Sequence, residues 1–383
     1  MNPTTHPNVQ PNMKAIREQF TVSYSYPVHF TRRVFAKGNT LLATLLAKPA
    51  RVLLVIDSGV ADATPTLTQQ IGAYFHTHNI TLTGKPIIVT GGESAKNNWD
   101  NVREIITRAS LHHLDRHNHI IAIGGGCVLD MAGLAASLIH RGVRLIRLPT
   151  TVLAQNDAGI GVKNGMNDNG AKNLIGTFAP PHAVINDYAF LRTLPQTHWV
   201  SGIAEAFKVA IIADAPFFRQ LCTLAPKLKK RNQTAMEQII HRTARLHLKH
   251  IATSGDPFET GNARPLDFGH WAAHRLELLS DFTLTHGQAV AIGIALDSTY
   301  ALLKRMITET EHAAILKGLA DCGLPIYSPL LEHPGLLEGL EQFREHLGGR
   351  LTITLPCPLG AKREVHTMDT RAIQSAIQRL AYI

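Results

Sequence analysis

The first half of the chain alternates short apolar runs with longer stretches of helical periodicity. Five runs of strand type, each bounded by turn residues, lie at 51–57, 86–90, 119–123, 143–148 and 183–187. Stretches with helical spacing lie between them, as at 66–78 and 97–114. This alternation is typical of a parallel sheet with crossover helices. We therefore predict a doubly wound, Rossmann-like α/β domain in the first half of the chain.

After Pro195 the pattern changes to consecutive helical segments. Five segments there have helical spacing, at 201–213, 233–251, 268–278, 287–303 and 309–319. Few runs of strand type follow before residues 351–355. A chain of 383 residues with 45% apolar content is long enough for two domains. We expect a mobile arm at 1–14, the α/β domain at 15–195 and a mostly helical domain at 196–383.

Charge and cysteine content narrow the classes of partner and compartment. Lys and Arg number 38 against 29 Asp and Glu, a modest excess that suits acidic small molecules as well as nucleic acid. The basic cluster at 227–231 has no interleaved aromatic residues, which favours a solvated helix end over a nucleic-acid interface. The four cysteines form no CxxC pair, and the N-terminus has no secretory signal. We expect a cytoplasmic protein with no membrane span and no nucleic-acid partner.

Two glycine turns follow strands of the predicted sheet. Glycines 124–126 come directly after the run at 119–123, and Asp130 lies in the segment behind them. A second pair, at 91–92, follows the run at 86–90 and precedes Glu93 and Lys96. Such turns let a diphosphate approach the N–H groups of a helix N-terminus, and both lie at the same edge of a parallel sheet. They favour a nucleotide site. The GxGxxG fingerprint is absent, however, and the alternative of tight turns that bind no ligand stays open.

Groups that bind phosphate and hydroxyls are concentrated between residues 141 and 173. They are Arg141, Thr150, Thr151, Asp157, Lys163, Lys172 and Asn173. Glycines punctuate the segment and allow the close turns by which such groups converge. Lysine acts toward phosphate as a point charge. The segment favours a polyol-phosphate site over an ordinary surface loop.

A third set of polar residues lies in the apolar helices of the second half. Glu205 and Lys208 are three residues apart, so they share one face of a strongly apolar helix and need partners there. His270 and His274 share a face of another helix, and His286 begins a third. A carboxylate with two or three imidazoles suits a zinc-type ion with an open position for substrate. The alternative is that these histidines are hydrogen-bonded core residues.

Seven blocks of this sequence resemble the dehydroquinate synthase superfamily, the sugar phosphate cyclases, from about residue 50 to the C-terminus. The blocks are GGGCVLD at 124–130, HRG at 140–142, LPTTVLAQNDAGIGVK at 148–163, AKNLIGTFAPP at 171–181, GIAEAFK at 202–208, DFGHWAAH at 267–274 and HGQAVAIG at 286–293. Their order and spacings are those of the superfamily. The resemblance implies a redox-neutral carbon–oxygen lyase that oxidises its substrate transiently with NAD, eliminates phosphate, returns the hydride and closes a carbocycle by aldol addition.

The resemblance also implies roles for individual residues. It implies an NAD site formed by Asp57, Glu93, Lys96, Gly125, Gly126, Asp130, Thr150, Thr151, Lys163, Lys172, Thr193 and Leu194. It implies that Glu205, His270 and His286 bind Zn²⁺ or Co²⁺. It implies that phosphate is bound by Lys163, Asn173, Lys208 and His274, and that Asp157, Lys172 and Lys249 line the polyol. Arg141 is expected to reach the phosphate from the second subunit of a homodimer.

Three departures from dehydroquinate synthases concern the substrate carboxylate. Arg264 is one residue out of register, Asp267 replaces an Asn, and the stretch 344–349 with His346 replaces a Lys region. A substrate carboxylate beside Asp267 would meet like-charge repulsion. These positions resemble the cyclases that convert sedoheptulose 7-phosphate into valiolone-type cyclitols, and we predict that activity.

Two other activities stay open. His274 is more similar to dehydroquinate synthases, so 3-dehydroquinate synthase is the principal alternative. A metal- and NAD-dependent polyol dehydrogenase would share the fold and the metal ligands, but it gives no reason for the five polar residues Lys163, Lys172, Asn173, Lys208 and Lys249.

Overall fold

The computed structural model describes residues 15–46, 48–169, 171–259, 265–346 and 348–383. The arm expected at 1–14 and Arg264 lie outside the described residues, as does the side chain of His346. None of the described helices is both long enough and apolar enough to cross a membrane.

Most strands of the described chain belong to one parallel sheet. The strands are β1 (Val28–Thr31), β2 (Ala50–Asp57), β3 (Ile80–Leu82), β4 (Ile87–Val89), β5 (His119–Gly124), β6 (Arg144–Pro149), β7 (Lys163–Asp168), β8 (Ala171–Phe178), β9 (Ala183–Asp187), β10 (Ile353–Pro356) and β11 (Lys362–Val365). The main sheet has the order β1-β9-β6-β5-β2-β3, with β4 also paired to β2. All its pairings are parallel. All five strands predicted from the sequence lie in this sheet.

Helices cover both faces of the sheet and then form the second half. They are α1 (Leu41–Leu45), α2 (Ser58–Ala63), α3 (Leu67–Thr77), α4 (Ser94–Asn97), α5 (Trp99–Leu111), α6 (Gly126–Leu138), α7 (Gln196–Ala213), α8 (Ala215–Lys229), α9 (Gln233–Thr253), α10 (His270–Leu279), α11 (His286–Leu303), α12 (Glu309–Asp321), α13 (Glu338–His346) and α14 (Thr370–Ala381). Leu53 and Val55 of β2 pack with α5 and α6 in one apolar cluster. Leu54 and Ile56 pack with α3 in a second cluster on the opposite face. The doubly wound fold is confirmed.

The second half is mostly helical, as predicted, and is built around α7 and α11. Both helices are buried nearly all round, which is typical of the central helices of a large core. Their side chains join those of α8 to α10 and α12 in one extended apolar cluster. The sequence reading did not identify α8, although its apolar spacing continues the pattern of its neighbours.

The glycine-punctuated segment after residue 160 differs from the expected loop, because it forms the antiparallel hairpin β7–β8. Gly165 and Gly176 face each other across the two strands. A Cβ on Gly165 would lie 2.9 Å from the carbonyl oxygen of Ile175, and one on Gly176 would lie 2.6 Å from that of Asn164. The glycines therefore permit a close approach of two strands rather than a series of turns.

Candidate active site

The carboxyl ends of the central strands form the first part of the site. β5 runs into the glycine turn, and Gly125 is the N-cap residue of α6, so no side chain caps the helix N-terminus. Thr150 at the end of β6 donates its backbone N–H to Gly124 at 3.0 Å. Asp57 ends β2, and burial raises the pKa of its carboxyl against hydrogen bonds from backbone N–H groups that include Gly59 and Gly125. The N-terminus of α6 is therefore uncapped at this edge of the sheet, where its backbone N–H groups can bind a diphosphate.

Charged and amide side chains next to this turn form what we call the sheet-edge network. Its members are Glu93, Lys96, Asp130, Lys172 and Asn173. The Lys96 ammonium is buried, lies 2.9 Å from Asp130 Oδ2 and also donates to the Asn173 side chain. Burial opposes the charge, but the Asp130 carboxylate outweighs it and raises the pKa of Lys96. The structure thus brings together residues from α4, α6 and the hairpin that the sequence assigned to one site.

Glu93 is held by donors from three directions. Asn167 Nδ2 donates to it at 2.8 Å, and the Lys172 ammonium lies 3.8 Å away. Cys127 Sγ lies 3.2 Å from the same carboxylate. Burial favours the neutral acid, but Lys172 and Asn167 lower the pKa of Glu93. Asn167 and Cys127 were not selected from the sequence, and their proximity to the glycine turns is the signal that was available.

Three helices converge on what we call the helical cluster, formed by Glu205, His270 and His286. Each residue offers a ligand atom, and these atoms lie within 4.8 Å of one another. Glu205 Oε1 is 3.5 Å from His286 Nε2 and 3.8 Å from His270 Nε2, and it makes no hydrogen bond. Ligands at about 2.0–2.1 Å from a tetrahedral zinc ion are about 3.3 Å apart. The donor set and its spacing therefore fit a divalent ion.

Close helix packing creates this cluster. A Cβ on Gly287, at the start of α11, would lie 2.0 Å from the carbonyl oxygen of Ser201 in α7. The absence of a side chain lets the two helices approach, so that His286 lies beside Glu205. His270 is the first residue of α10, and Gly269 before it has φ +79°, a left-handed conformation that favours glycine.

Glu277 lies next to the helical cluster and was not identified from the sequence. Its Oε2 is 3.1 Å from His286 Nδ1, and its Oε1 accepts from Lys172 Nζ at 2.8 Å. Burial opposes charge on His286, but Glu277 and Glu205 raise the pKa of this imidazole to about 9. Glu277 follows His270 by seven residues and His274 by three, so its position on one helix face was a usable signal.

His274 and Asp267 complete this side of the site. The ring of His274 lies 5.4 Å from that of His270 and 6.0 Å from that of His286. Burial lowers the pKa of His274 well below its usual range, so the ring is neutral at neutral pH. Asp267 precedes α10. Burial and the charge of Lys208 lower the pKa of His270 despite the opposing charges of Glu205 and Asp267, and Asp267 adds a small contribution to the raised pKa of Lys208.

Lys208 is buried beside Glu205, and the carboxylate of Asp157 acts on it electrostatically. Lys208 contacts Glu205 Oε2, and burial of its ammonium is outweighed by Asp157 and Glu205, which raise the pKa of Lys208. Asp157 belongs to a π-helical turn, and Lys208 and His247 lower the pKa of its carboxyl despite its burial. His247 Nδ1 lies 2.6 Å from Asp157 Oδ1. The sequence reading missed His247, although it precedes the selected Lys249 by two residues.

Arg147 is another residue that the sequence reading missed. It is fully buried, and it donates to the carbonyl oxygens of Gly161 at 2.8 Å and Lys163 at 3.1 Å and to Asn164 Oδ1 at 2.6 Å. It therefore fixes the backbone that leads from the π-helical turn into β7. A charged residue inside the apolar run at 143–148 was the available signal.

Five of the selected residues lie apart from these groups or contact other residues. Arg141 is exposed beyond the C-terminus of α6, so the length of that 13-residue helix, about 20 Å, separates it from the glycine turn. Lys163 pairs with Glu259, and Lys249 is exposed on α9. Thr193 and Leu194 follow β9, where Arg231 donates to the Leu194 carbonyl oxygen at 2.6 Å.

Fold and site together define a class: an α/β domain with a glycine turn at its sheet edge, joined to helices that carry a carboxylate–imidazole cluster. Two family models match the chain, 3-dehydroquinate synthase N-terminal at residues 86–201 and 3-dehydroquinate synthase C-terminal at residues 202–343. The chain belongs to the 3-dehydroquinate synthase family. The resemblance to sugar phosphate cyclases is confirmed.

Relatives with two activities match almost the whole chain. A 2-epi-5-epi-valiolone synthase from an Actinomyces species is 30% identical over 370 residues, which cover 93% of this chain and 95% of the relative. A 3-dehydroquinate synthase from Desulforamulus reducens is 32% identical over 358 residues, which cover 92% and 97%. The solved 2-epi-5-epi-valiolone synthase of Streptomyces hygroscopicus, with NAD⁺ and Zn²⁺ bound, has a TM-score of 0.88 at 30% identity, covering 96% of this chain and 99% of that one.

Proposed function

We propose that this protein is a sugar phosphate cyclase that converts sedoheptulose 7-phosphate into a valiolone-type cyclitol with loss of phosphate. The observation that carries this choice is Asp267, which lies before the first histidine of the helical cluster and acts electrostatically on Lys208 and His270. A carboxylate there suits a hydroxymethyl group, which donates a hydrogen bond, and repels a substrate carboxylate. The valiolone synthases among the relatives support the same choice.

The proposed cofactors are NAD and a divalent ion, Zn²⁺ or Co²⁺. The residues proposed to hold NAD are Asp57, Glu93, Lys96, Gly125, Gly126, Asp130, Thr150, Thr151, Lys163, Lys172, Thr193 and Leu194. Glu205, His270 and His286 would hold the ion. NAD supplies a reversible hydride acceptor, and the ion supplies a Lewis acid for the reacting hydroxyl and carbonyl.

The chain's own residues bind phosphate and control protons in this proposal. Lys208 keeps its charge because its pKa is raised, so it suits the phosphate, together with Lys163, Asn173 and the neutral ring of His274. Asp157 stays ionised because its pKa is lowered, so it accepts hydrogen bonds from polyol hydroxyls. Lys172 and Lys249 are proposed to line the polyol with Asp157. Elimination of phosphate makes the enzyme a carbon–oxygen lyase.

The proposal includes a homodimer in which Arg141 serves the partner's site. Its support is geometric, because Arg141 lies at the far end of α6 from the glycine turn of its own chain. Apolar side chains near it are exposed: Leu138 is 51% exposed, and on the neighbouring hairpin Leu174 is 55% and Phe178 is 42% exposed.

We further propose that the chain divides into two domains at about residue 195. From the four free cysteines we propose a cytoplasmic location.

The test is a parallel assay of phosphate release with NAD and Zn²⁺ or Co²⁺. The substrates are sedoheptulose 7-phosphate and the seven-carbon keto acid phosphate of 3-dehydroquinate synthases. We expect release only from the first, with no net formation of NADH. Release only from the keto acid would support 3-dehydroquinate synthase, the second candidate that His274 favours, and steady NADH formation with a polyol would support a dehydrogenase. Asp267→Asn is expected to lower turnover of the ketose phosphate and to admit the keto acid.

A further inference from the structure

Glu277 connects two parts of the site that come from different halves of the chain. It is buried on α10, with 3% of the residue exposed. One of its carboxylate oxygens lies 3.1 Å from His286 Nδ1, and the other accepts from Lys172 Nζ at 2.8 Å. Lys172 belongs to β8 and also faces Glu93 in the sheet-edge network, at 3.8 Å. Glu277 is thus a contact between the hairpin and the helical cluster.

The two ring nitrogens of His286 face two different carboxylates. Nε2 is directed at Glu205 Oε1, at 3.5 Å, and Nδ1 at Glu277 Oε2, at 3.1 Å. A neutral imidazole that uses Nε2 as a metal ligand carries its hydrogen on Nδ1. Glu277 is placed to accept that hydrogen, which selects the ligating tautomer and holds the plane of the ring.

We propose that Glu277 is the positioning residue of His286 and that, through Lys172, it links the hairpin to the helical cluster. The inference rests on the proposed function in one respect, since it takes Glu205, His270 and His286 as metal ligands. It does not require a particular substrate. Glu277 touches neither of the other two ligands in the contacts described, so its removal acts on the ion through His286.

A simple ion pair between Glu277 and Lys172 is the competing explanation. The two contacts can be separated, because they use different carboxylate oxygens. Lys172→Met removes the pair and leaves the contact with His286. It also removes a positive charge near the cluster, so we expect this variant to bind a divalent ion at least as tightly as the unaltered protein does.

The experiment measures the affinity of the full-length protein for Co²⁺ and Zn²⁺ by competition with a chromophoric chelator. Glu277→Ala is expected to weaken binding by about 10–100-fold, and Glu277→Gln, which keeps an acceptor but loses the charge, by less. The absorption bands of bound Co²⁺ should shift in both variants. The matched control is Glu338→Gln. Glu338 pairs with Arg275, which lies on α10 as Glu277 does, but Glu338 itself is exposed and outside the site.

Unaltered affinity and an unaltered Co²⁺ spectrum in Glu277→Gln and Glu277→Ala would overturn the inference. If Glu277→Ala does not fold, the Co²⁺ spectrum and affinity of Glu277→Gln decide. A loss of affinity in Lys172→Met equal to that in Glu277→Ala would also overturn it, in favour of the ion pair. Failure of the unaltered protein to bind either ion would instead overturn the metal site of the proposed function.

Discussion

The sheet-edge network and the helical cluster both contain a buried charged residue, Lys96 and Glu205, but their charges are balanced differently. In the network, the Lys96 ammonium lies 2.9 Å from Asp130 and Asn167 donates to Glu93 at 2.8 Å. In the cluster, Glu205 Oε1 makes no hydrogen bond and stands 3.5 and 3.8 Å from two imidazole nitrogens. The network is an assembly of complete ion pairs and hydrogen bonds.

This difference indicates two kinds of binding site. A network whose charges are already paired can hold a polar ligand through exposed edges and backbone N–H groups without rearranging. Lys208 contacts Glu205 Oε2, whereas Oε1 faces two imidazole nitrogens without a hydrogen bond and would be stabilised by a cation at their common centre. Four substitutions test whether the two regions differ in this way, and they are given in order of decreasing effect.

The largest effect is expected from removing a ligand of the helical cluster. His270→Ala should lose at least about 100-fold in affinity for Zn²⁺, and phosphate release should fall with it. Metal content after dialysis and turnover would be measured together. His312→Ala is the control, because this buried histidine lies outside the cluster and its Nε2 is hydrogen-bonded to Thr299 Oγ1 at 2.8 Å. The His312→Ala variant should be less stable but should keep the ion. If His270→Ala retains both metal and turnover, the helical cluster does not differ from the sheet-edge network in the way described.

Packing around the cluster provides the second test. Gly287→Ala places a Cβ 2.0 Å from the Ser201 carbonyl oxygen, which forces α7 and α11 apart. We expect the free energy of unfolding to fall by about 3 kcal/mol, measured by urea denaturation. Gly72→Ala in α3 is the matched control, since nothing lies within 4 Å of its Cβ position. That control should stabilise the protein by about 0.5–1 kcal/mol, and equal effects of both substitutions would contradict the close packing described here.

Breaking the sheet-edge network should affect stability rather than metal binding. Lys96→Met leaves Asp130 and Asn173 without their buried donor and is expected to lower the free energy of unfolding by about 2–3 kcal/mol. Lys317→Met breaks a pair with Asp321 whose lysine side chain is 74% exposed, so it should change stability by less than about 1 kcal/mol. Thermal denaturation and metal titration of both variants would show whether the network is independent of the ion.

The smallest expected effect concerns the pH dependence of a carboxylate beneath the cluster. Burial raises the pKa of Asp297 from 3.8 to about 7, against hydrogen bonds from Trp271 and Gly269. The folded protein therefore holds a proton that the unfolded chain has lost, and this contribution to the free energy of unfolding declines as the pH rises from 3.8 to about 7. Asp297→Asn does not titrate, so its stability relative to the unaltered protein should improve between pH 6 and pH 8 by about 1–2 kcal/mol. A constant difference across this range would show that Asp297 is ionised throughout.

Much of the fold could be predicted because its signals are local. The run at 51–57 is apolar from residue 52 to residue 56, as expected for a strand buried on both faces, and it forms β2. The helical spacing at 287–303 likewise predicted α11 to within one residue. The hairpin β7–β8 was not predicted, since its glycines have the composition of turns and only the opposite strand shows why they are needed.

The candidate site was predictable where one residue type is chemically distinctive, and not where function depends on distant contacts. Glu205, His270 and His286 stood out because charged or imidazole side chains in apolar helices need partners. Glu277 did not, because an isolated glutamate on a helix is usually solvated, and its partner Lys172 is 105 residues away in the chain.

The sequence by itself determined the alternation of strands and helices in the first half, the helical character of the second half, the two glycine turns and the chemical types available to the site. Periodicity and residue chemistry are properties of short segments. The tertiary structure decided which charges are neutralised by one another and which are not. That depends on distances of a few ångströms between segments far apart in the chain. The packing of α7, α10 and α11 leaves Glu205 Oε1 without a hydrogen bond, whereas the packing of α4 against α6 gives Asp130 a buried lysine. Electrostatic energy varies so steeply with separation and burial that residue identity alone does not fix it.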